Sequence, residues 1–276
     1  MRKSWIAYPY VLWAVVFTVI PMILMLYYGF TVETDNGSVV FSLQNYKEFF
    51  TNKIYMAVLW RSLGYSALAT VICFLLGYPV AYILARSDFK NKGFLMSMLV
   101  VPMWMSLLLR TYAWMILLDN NGLVNMLLNS IGLGSVKFLY NDAAIVFGMV
   151  YNFLPFMILP IHSVLIKIDK NAVEAAQDLG ADKISVFKKI IFPLSIPGIV
   201  SGITMVFMPA VTTFAVSNIL SGRKTSLMGN LIENQFVLQD NWHKGAAISV
   251  VLIVIILASM MFTAKYDKDD EGGGLF

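Results

Sequence analysis

Lys167-Ile-Asp-Lys-Asn-Ala-Val-Glu-Ala-Ala-Gln-Asp-Leu-Gly-Ala-Asp-Lys-Ile-Ser-Val-Phe-Lys-Lys-Ile-Ile-Phe-Pro193 lies between two long apolar runs and is itself too polar to cross a bilayer. Asp169 or Asn171 suits the N-cap of a helix running to about Leu179, because a short side-chain oxygen can take up a free backbone N–H of the first turn. Gly180 suits the left-handed position just past its end. Asp182 suits the cap of a second helix, expected to end before Pro193, since the residue preceding a proline is pushed out of the helical region. Pro197 then fits the first turn of the next apolar run. The spacing therefore predicts a helix–glycine–helix unit. Val173, Ala176 and Leu179 fall on or near one small apolar face, suited to a groove of another protein.

Outward from this segment the chain is apolar. Of its 276 residues, 59% are hydrophobic and only 13% charged, with a mean hydropathy of +0.73. A soluble domain carries about 25% charged residues, so an ordinary soluble domain and a disordered chain are both excluded. The net charge of +4 is small and its cations are dispersed, which argues against a nucleic-acid partner. A membrane helix needs about 20 mostly apolar residues. Six stretches qualify, at about 7–30, 62–85, 94–118, 143–166, 196–220 and 246–264. They read as helices, because the backbone must satisfy itself within lipid. The first is too long for a secretory leader and no small-x-small cleavage pattern closes it, so it is expected to remain as a span. The single cysteine, Cys73, forms no intrachain disulfide.

Of the twenty Lys and Arg residues, twelve fall at the termini, after the second span and in the 167–195 segment, against six in the other loops. By the positive-inside rule both termini and that segment are cytoplasmic. Pro21, Pro79, Pro102, Pro155, Pro160 and Pro209 lie within spans. Each frees a carbonyl, and together they suggest a bundle that changes shape, although kinks also serve packing alone.

Glu174-Ala175-Ala176, three residues, Gly180, nine residues, then Ile190-Ile191-Phe192-Pro193 resembles the EAA signature of ABC importer permeases, EAA-x3-G-x9-I-x-L-P, with Phe192 where the family usually has Leu. The resemblance implies a type I importer permease fold: an all-α integral membrane protein with six spans over residues 1–265. It further implies that 167–195 is a coupling loop docking into a cytoplasmic ATPase through Glu174, Ala175, Ala176, Asp178, Leu179, Gly180 and Pro193. More narrowly, Gly77-Tyr-Pro-Val-Ala-Tyr82, Val101-Pro-Met-Trp-Met-Ser-Leu-Leu-Leu-Arg-Thr-Tyr112, Val150-Tyr-Asn-Phe-Leu-Pro-Phe156 and Met228-Gly-Asn-Leu-Ile-Glu-Asn-Gln-Phe236 resemble permeases of spermidine/putrescine importers. That likeness implies a bacterial plasma-membrane location and a polyamine cargo. It also implies a second, similar permease, an ATPase dimer, an external solute-binding protein and surrounding lipid as partners. Permeases for sulfate or iron share parts of this frame.

The chain itself has no G-x-x-x-x-G-K-[ST] phosphate loop; Gly222-Arg-Lys-Thr225 has the wrong spacing. Hydrolysis thus falls to another subunit, and this chain is not expected to be an enzyme or to hold a cofactor. No Cys/His pattern suggests a metal. An ATP-independent carrier would need coupling-ion carboxylates in the spans, but the span interiors hold no Asp or Glu. Their one formal charge is Arg110, sixteen residues past Phe94. On a straight helix this lies about 24 Å along, in the outer third. There it either snorkels, pairs with Asp119, or lines the pathway. A lone cation would repel a polyamine, so Asp119, the partner permease or the faces of Trp104, Tyr112, Trp114 and Tyr151 would have to compensate. The same aromatics also suit a membrane interface. Two outer segments, Val32–Met56 and the partly helical Ser221–Gly245, are candidate receptor contacts. The acidic, glycine-rich tail 266–276 reads as disordered and cytoplasmic.

Overall fold

The computed structural model describes residues 8–34, 37–87 and 91–267, with side chains as far as Met261. Five helices are long and apolar enough to span a membrane, and a bent pair makes a sixth span. They are α1 (Tyr8–Gly29), α3 (Lys53–Arg86), the pair α4 (Lys92–Trp104) and α5 (Leu107–Leu118), α7 (Asp142–Leu165), α9 (Lys183–Thr212) and α12 (Trp242–Asp267). Shorter helices α2 (Gln44–Thr51), α6 (Leu123–Ser130), α8 (Lys170–Asp178), α10 (Ala215–Leu220) and α11 (Met228–Glu233) join them. The expected six-span helical architecture holds, with one small addition: β1 (Thr31–Glu33) and β2 (Val39–Phe41) pair antiparallel, Val32 opposite Val40. Residues 268–276, most of the tail expected to be disordered, lie outside the described residues; Tyr266 and Asp267 close α12.

The chain forms two compact units. The first comprises the chain up to Trp60 together with Met228–Leu257. Here α1 is apolar all round and only its last residue, Gly29, is buried. A helix with no polar face and no protein cover is one that lipid solvates. Beyond α1, the hairpin and α2 fold back on the start of α12. Thr31 Oγ1 lies 3.0 Å from His243 Nδ1, and Lys244 Nζ donates to Glu48 Oε1 at 2.9 Å.

The second unit, Arg61–Leu227 with the chain from Ala258 on, holds the main core. Its axis is α7, whose Ile145, Met149, Met157, Ile158, Ile161 and Leu165 are fully enclosed. The helix α9 lies along it. A Cβ on Gly198 would come within 2.9 Å of the Pro160 carbonyl oxygen. In lipid there is no hydrophobic drive between helices, so such small residues let backbones approach and dispersion hold them.

Three expectations about the spans need correction. The third span is not one straight helix over 94–118: α4 and α5 meet at 97°. Pro102 brings no N–H to the ladder, a tight turn over Val101–Trp104 follows, and Met105 and Ser106 are extended before α5 restarts. The fifth span does not run 196–220 unbroken; Thr213 is extended and Phe214 precedes the separate α10. Nor does the second helix of the 167–195 segment end before Pro193: α9 runs from Lys183 to Thr212, and Pro197 lies in its interior rather than in its first turn. The physical reason is a wide turn over Phe187–Ile191, in which the Phe192 N–H reaches back five residues to Phe187 O. The added residue shifts the hydrogen-bond register just where Pro193 has no donor to give.

Candidate functional site

The 167–195 segment is built by its caps. Asp169 Oδ1 accepts from the Asn171 N–H at 2.9 Å and opens α8. At the other end the Ala181 N–H donates to Ala176 O at 3.0 Å and the Gly180 N–H to Gln177 O at 2.9 Å. This paired closure requires a left-handed residue, and Gly180 supplies it with φ +85°. Asp182 Oδ1 then accepts from the Ser185 N–H at 3.3 Å and opens α9. The Ser185 side chain foremost, with this N–H adding to it, holds the Asp182 carboxyl below the usual carboxylate range.

The faces of α8 divide differently from the expected apolar stripe. Val173, Ala176 and Ala181 pack against the chain's own core. Glu174, Ala175, Asp178 and Leu179 are exposed, Leu179 by 90%. At 3.6 residues per turn Leu179 lies about 120° round from Val173, so one surface cannot hold both. Gly180 and exposed Pro193 complete the outward set. A short helix thus keys into the bundle by one side and presents an acidic and apolar side outward, beside a hollow of about 440 Å³ that includes Leu179, Gly180, Asp182 and Lys189.

The candidates in the spans disperse. Arg110 occupies the first turn of α5 and is 7% exposed. It is therefore neither far along a straight helix nor snorkelling. Its Nε has no hydrogen-bond partner among the described residues. It does not pair with Asp119, which is exposed at the end of α5, where its backbone carbonyl accepts from Asn125 Nδ2 at 3.0 Å. Trp104, 83% exposed at the bend, and Tyr112 both face outward. Only Trp114 and Tyr151 meet, edge to face at 5.1 Å, with Phe147 4.9 Å from Trp114. They line an apolar groove of about 730 Å³ between α3, α5 and α7.

Asn152 is the residue that sequence reasoning passed over. It is 1% exposed and its Nδ2 donates to Gly148 O at 2.8 Å and to Thr111 Oγ1 at 3.4 Å. Its Oδ1 has no partner among the described residues. The signal was an amide inside an otherwise apolar stretch, a position that is costly unless bonded. This amide ties α5 to α7 next to Arg110.

Known proteins agree with this architecture. The family model described as "Binding-protein-dependent transport system inner membrane component" matches residues 75–268. The chain belongs to that family of membrane permeases. Its relatives include the spermidine/putrescine transport system permease protein PotB of Haemophilus influenzae, 37% identical over 248 residues, covering 88% of this chain and 86% of that one. The PotB protein of Escherichia coli is also 37% identical, covering 88% and 90%. Among solved structures, a chain of a bacterial ABC transporter involved in import of the acidic polysaccharide alginate superposes with a TM-score of 0.81 at 17% identity, covering 97% of this chain and 96% of that one. The last likeness establishes the fold alone.

Proposed function

We propose that this chain is a permease subunit of an ATP-driven ABC importer that carries spermidine and putrescine across a bacterial plasma membrane, both termini facing the cytoplasm. The cargo rests on one observation, the 37% identity to PotB permeases over nearly nine-tenths of the chain. The remaining partners follow from that machine: a second permease of the same kind, an ATPase dimer and an external solute-binding protein.

In this reading α8 is the coupling lever. Its outward residues, Glu174, Ala175, Asp178 and Leu179, meet the ATPase, while Ala176 with Val173 keys into the bundle. Gly180 fixes the angle at which α9 departs, and Pro193 sits where α9 leaves the surface. Because α9 continues unbroken for 30 residues, a displacement at its start is carried about 45 Å along a stiff helix. Closure of the ATPase dimer moves α8 as a rigid body. The rotation of α9 against α7 then opens the bundle to cargo delivered from outside. Cargo passes the aromatic faces of Trp104, Tyr112, Trp114 and Tyr151, with Asp119 near the end of α5. Cation–π contacts of about 0.5–2 kcal/mol each hold it weakly enough to release it.

Buried Arg110 favours the rival cargo, an anion such as sulfate, and the same assay separates the two. In vesicles carrying the whole transporter, spermidine and putrescine should compete for uptake and sulfate should not. Glu174→Arg should leave the complex inserted and hydrolysing ATP while uptake falls by about tenfold or more, the consequence of setting a like charge or a lost contact at a docking surface. Sulfate uptake would overturn the cargo, and normal uptake by Glu174→Arg would overturn the lever.

A further inference from the structure

The end of α1, the hairpin, α2 and the bend before α12 enclose a pocket of about 630 Å³, every wall of which belongs to the first unit. None of the span candidates discussed above lies in that unit. Among the described residues, three formally charged side chains line the pocket: Glu33, Asp240 and Lys244. The cation is already matched, since Lys244 Nζ lies 2.9 Å from Glu48 Oε1. Glu33 has no ion-pair partner among the described residues. Among the described residues Asp240 engages only a neutral donor, the Trp242 indole N–H, at 2.8 Å. The pocket is therefore left with uncompensated negative charge.

Two further features define what such a pocket can take. Aromatic faces stand beside the carboxylates: Tyr28 lies 6.3 Å and Phe236 5.5 Å from Trp242, and the Asp240 bond holds the indole in place. In addition, the lining residue Asn45 is only 6% exposed. Its Nδ2 donates to Thr31 O at 3.3 Å, and its Oδ1 accepts nothing among the described residues. That amide oxygen is open to the pocket, where it can accept a ligand N–H.

Carboxylate, free acceptor and aromatic face together suit a primary alkylammonium. The carboxylate answers the charge, the carbonyl takes an N–H, and the ring attracts the cation through its negative face. An anion is repelled. A divalent metal is poorly served, because no group of three or more His, Cys, Asp or Glu residues able to hold one occurs among the described residues. The volume exceeds what a single ammonium fills and lies in the range of small-molecule sites. We infer that this pocket is a second binding site of the permease, for a linear di- or triamine, with Glu33, Asp240 and Asn45 holding ammonium groups and Tyr28 and Trp242 flanking the alkyl chain. That the amine is the transported cargo rests on the function proposed above; the preference for alkylammonium does not.

The test uses the assembled transporter in nanodiscs without binding protein, photolysed with a diazirine-bearing 1,4-diaminobutane. Label is expected on peptides containing residues 28–34 and 239–244. Putrescine and spermidine should compete it away; 1,4-butanediol and sulfate should not. Glu33→Gln with Asp240→Asn should reduce labelling and raise the KM for uptake roughly fivefold each, the size of effect expected from partly exposed charge and ring contacts. If the double variant fails to assemble, Glu33→Gln alone, on an exposed strand position, carries the test. Labelling absent from these peptides, unaffected by the variants, or equally competed by the diol overturns the site. Labelling competed by amines in a transporter that moves no polyamine overturns the cargo and leaves the site.

Discussion

Residues 92–130 and residues 167–193 both turn the chain between apolar helices, and they do so by opposite means. The later segment turns through side-chain caps and a left-handed glycine: Asp169, Gly180 and Asp182 each satisfy a backbone group within three residues of themselves. The earlier one turns through 97° at Met105 and Ser106 with no side-chain cap at all. It is held instead from outside, by Thr111 against Asn152 and Trp114 against Phe147 and Tyr151. The first kind of turn is local chemistry and suits a lever that must keep its shape while it moves. The second depends on its neighbours and will shift when they shift. In the mechanism proposed above, that difference would separate the part that transmits from the part that responds.

The comparison is broken most severely by disturbing the packing that positions the responding part. Gly198→Val places a side chain within 2.9 Å of the Pro160 carbonyl oxygen and 3.1 Å of the Ile161 Cα, neither of which can turn aside. Overpacking of this kind costs about 1–3 kcal/mol. The thermal midpoint of the purified subunit should fall clearly, with α8 retaining its amide protection. A midpoint equal to wild type would mean that α7 and α9 are not in the contact described.

A smaller loss, confined to the lever, is expected from Gly180→Val. A branched side chain at φ +85° costs about 1–2 kcal/mol in the left-handed region. Space is not the cause, since nothing lies within 4 Å of a Cβ built there. Amide exchange should accelerate at Gln177–Ala181 while the midpoint of the bundle stays put. If the midpoint drops as far as with Gly198→Val, the two regions are not independent.

The smallest effect sharpens the contrast through pH. The Asp182 carboxyl is held below its ordinary range by the Ser185 side chain foremost and by the Ser185 N–H. A depressed folded value means that the charged cap contributes stability above the unfolded pKa and loses it as pH falls through the depressed value. Exchange at Ser185 should therefore rise only on acidification past the ordinary carboxylate range, and Asp182→Asn should abolish that pH dependence. No acid step is expected at the 105–106 bend, which has no carboxylate cap. An acid step there, or none at Ser185, would contradict the distinction.

Much of this was readable from residue order. Asp169, Gly180 and Asp182 perform the capping roles that their types and spacing imply, because a cap is satisfied within a few residues. The apolar runs mark the spans because a bilayer acts on any segment of sufficient length and apolarity. Other features needed neighbours. Pro193 reads as a stop, yet a wide turn just before it lets α9 continue. Val173 and Leu179 read as one face, yet only Val173 finds a core to enter. Arg110 reads as part of a straight span, yet its helix begins three residues earlier.

Sequence alone thus determined that this protein crosses a membrane on helices and carries a capped helix–glycine–helix unit between two of them, since hydropathy and capping act over one turn or one bilayer thickness. Tertiary structure alone decided which apolar helix meets lipid and which meets protein: α1 and α7 are similarly apolar, yet the first is uncovered and the second is the axis of the core. It alone brought Tyr28, Glu33 and Asn45 to Asp240 and Trp242 around one pocket. Contacts between residues some two hundred positions apart are set by how the helices pack, and no local pattern of residue types encodes them.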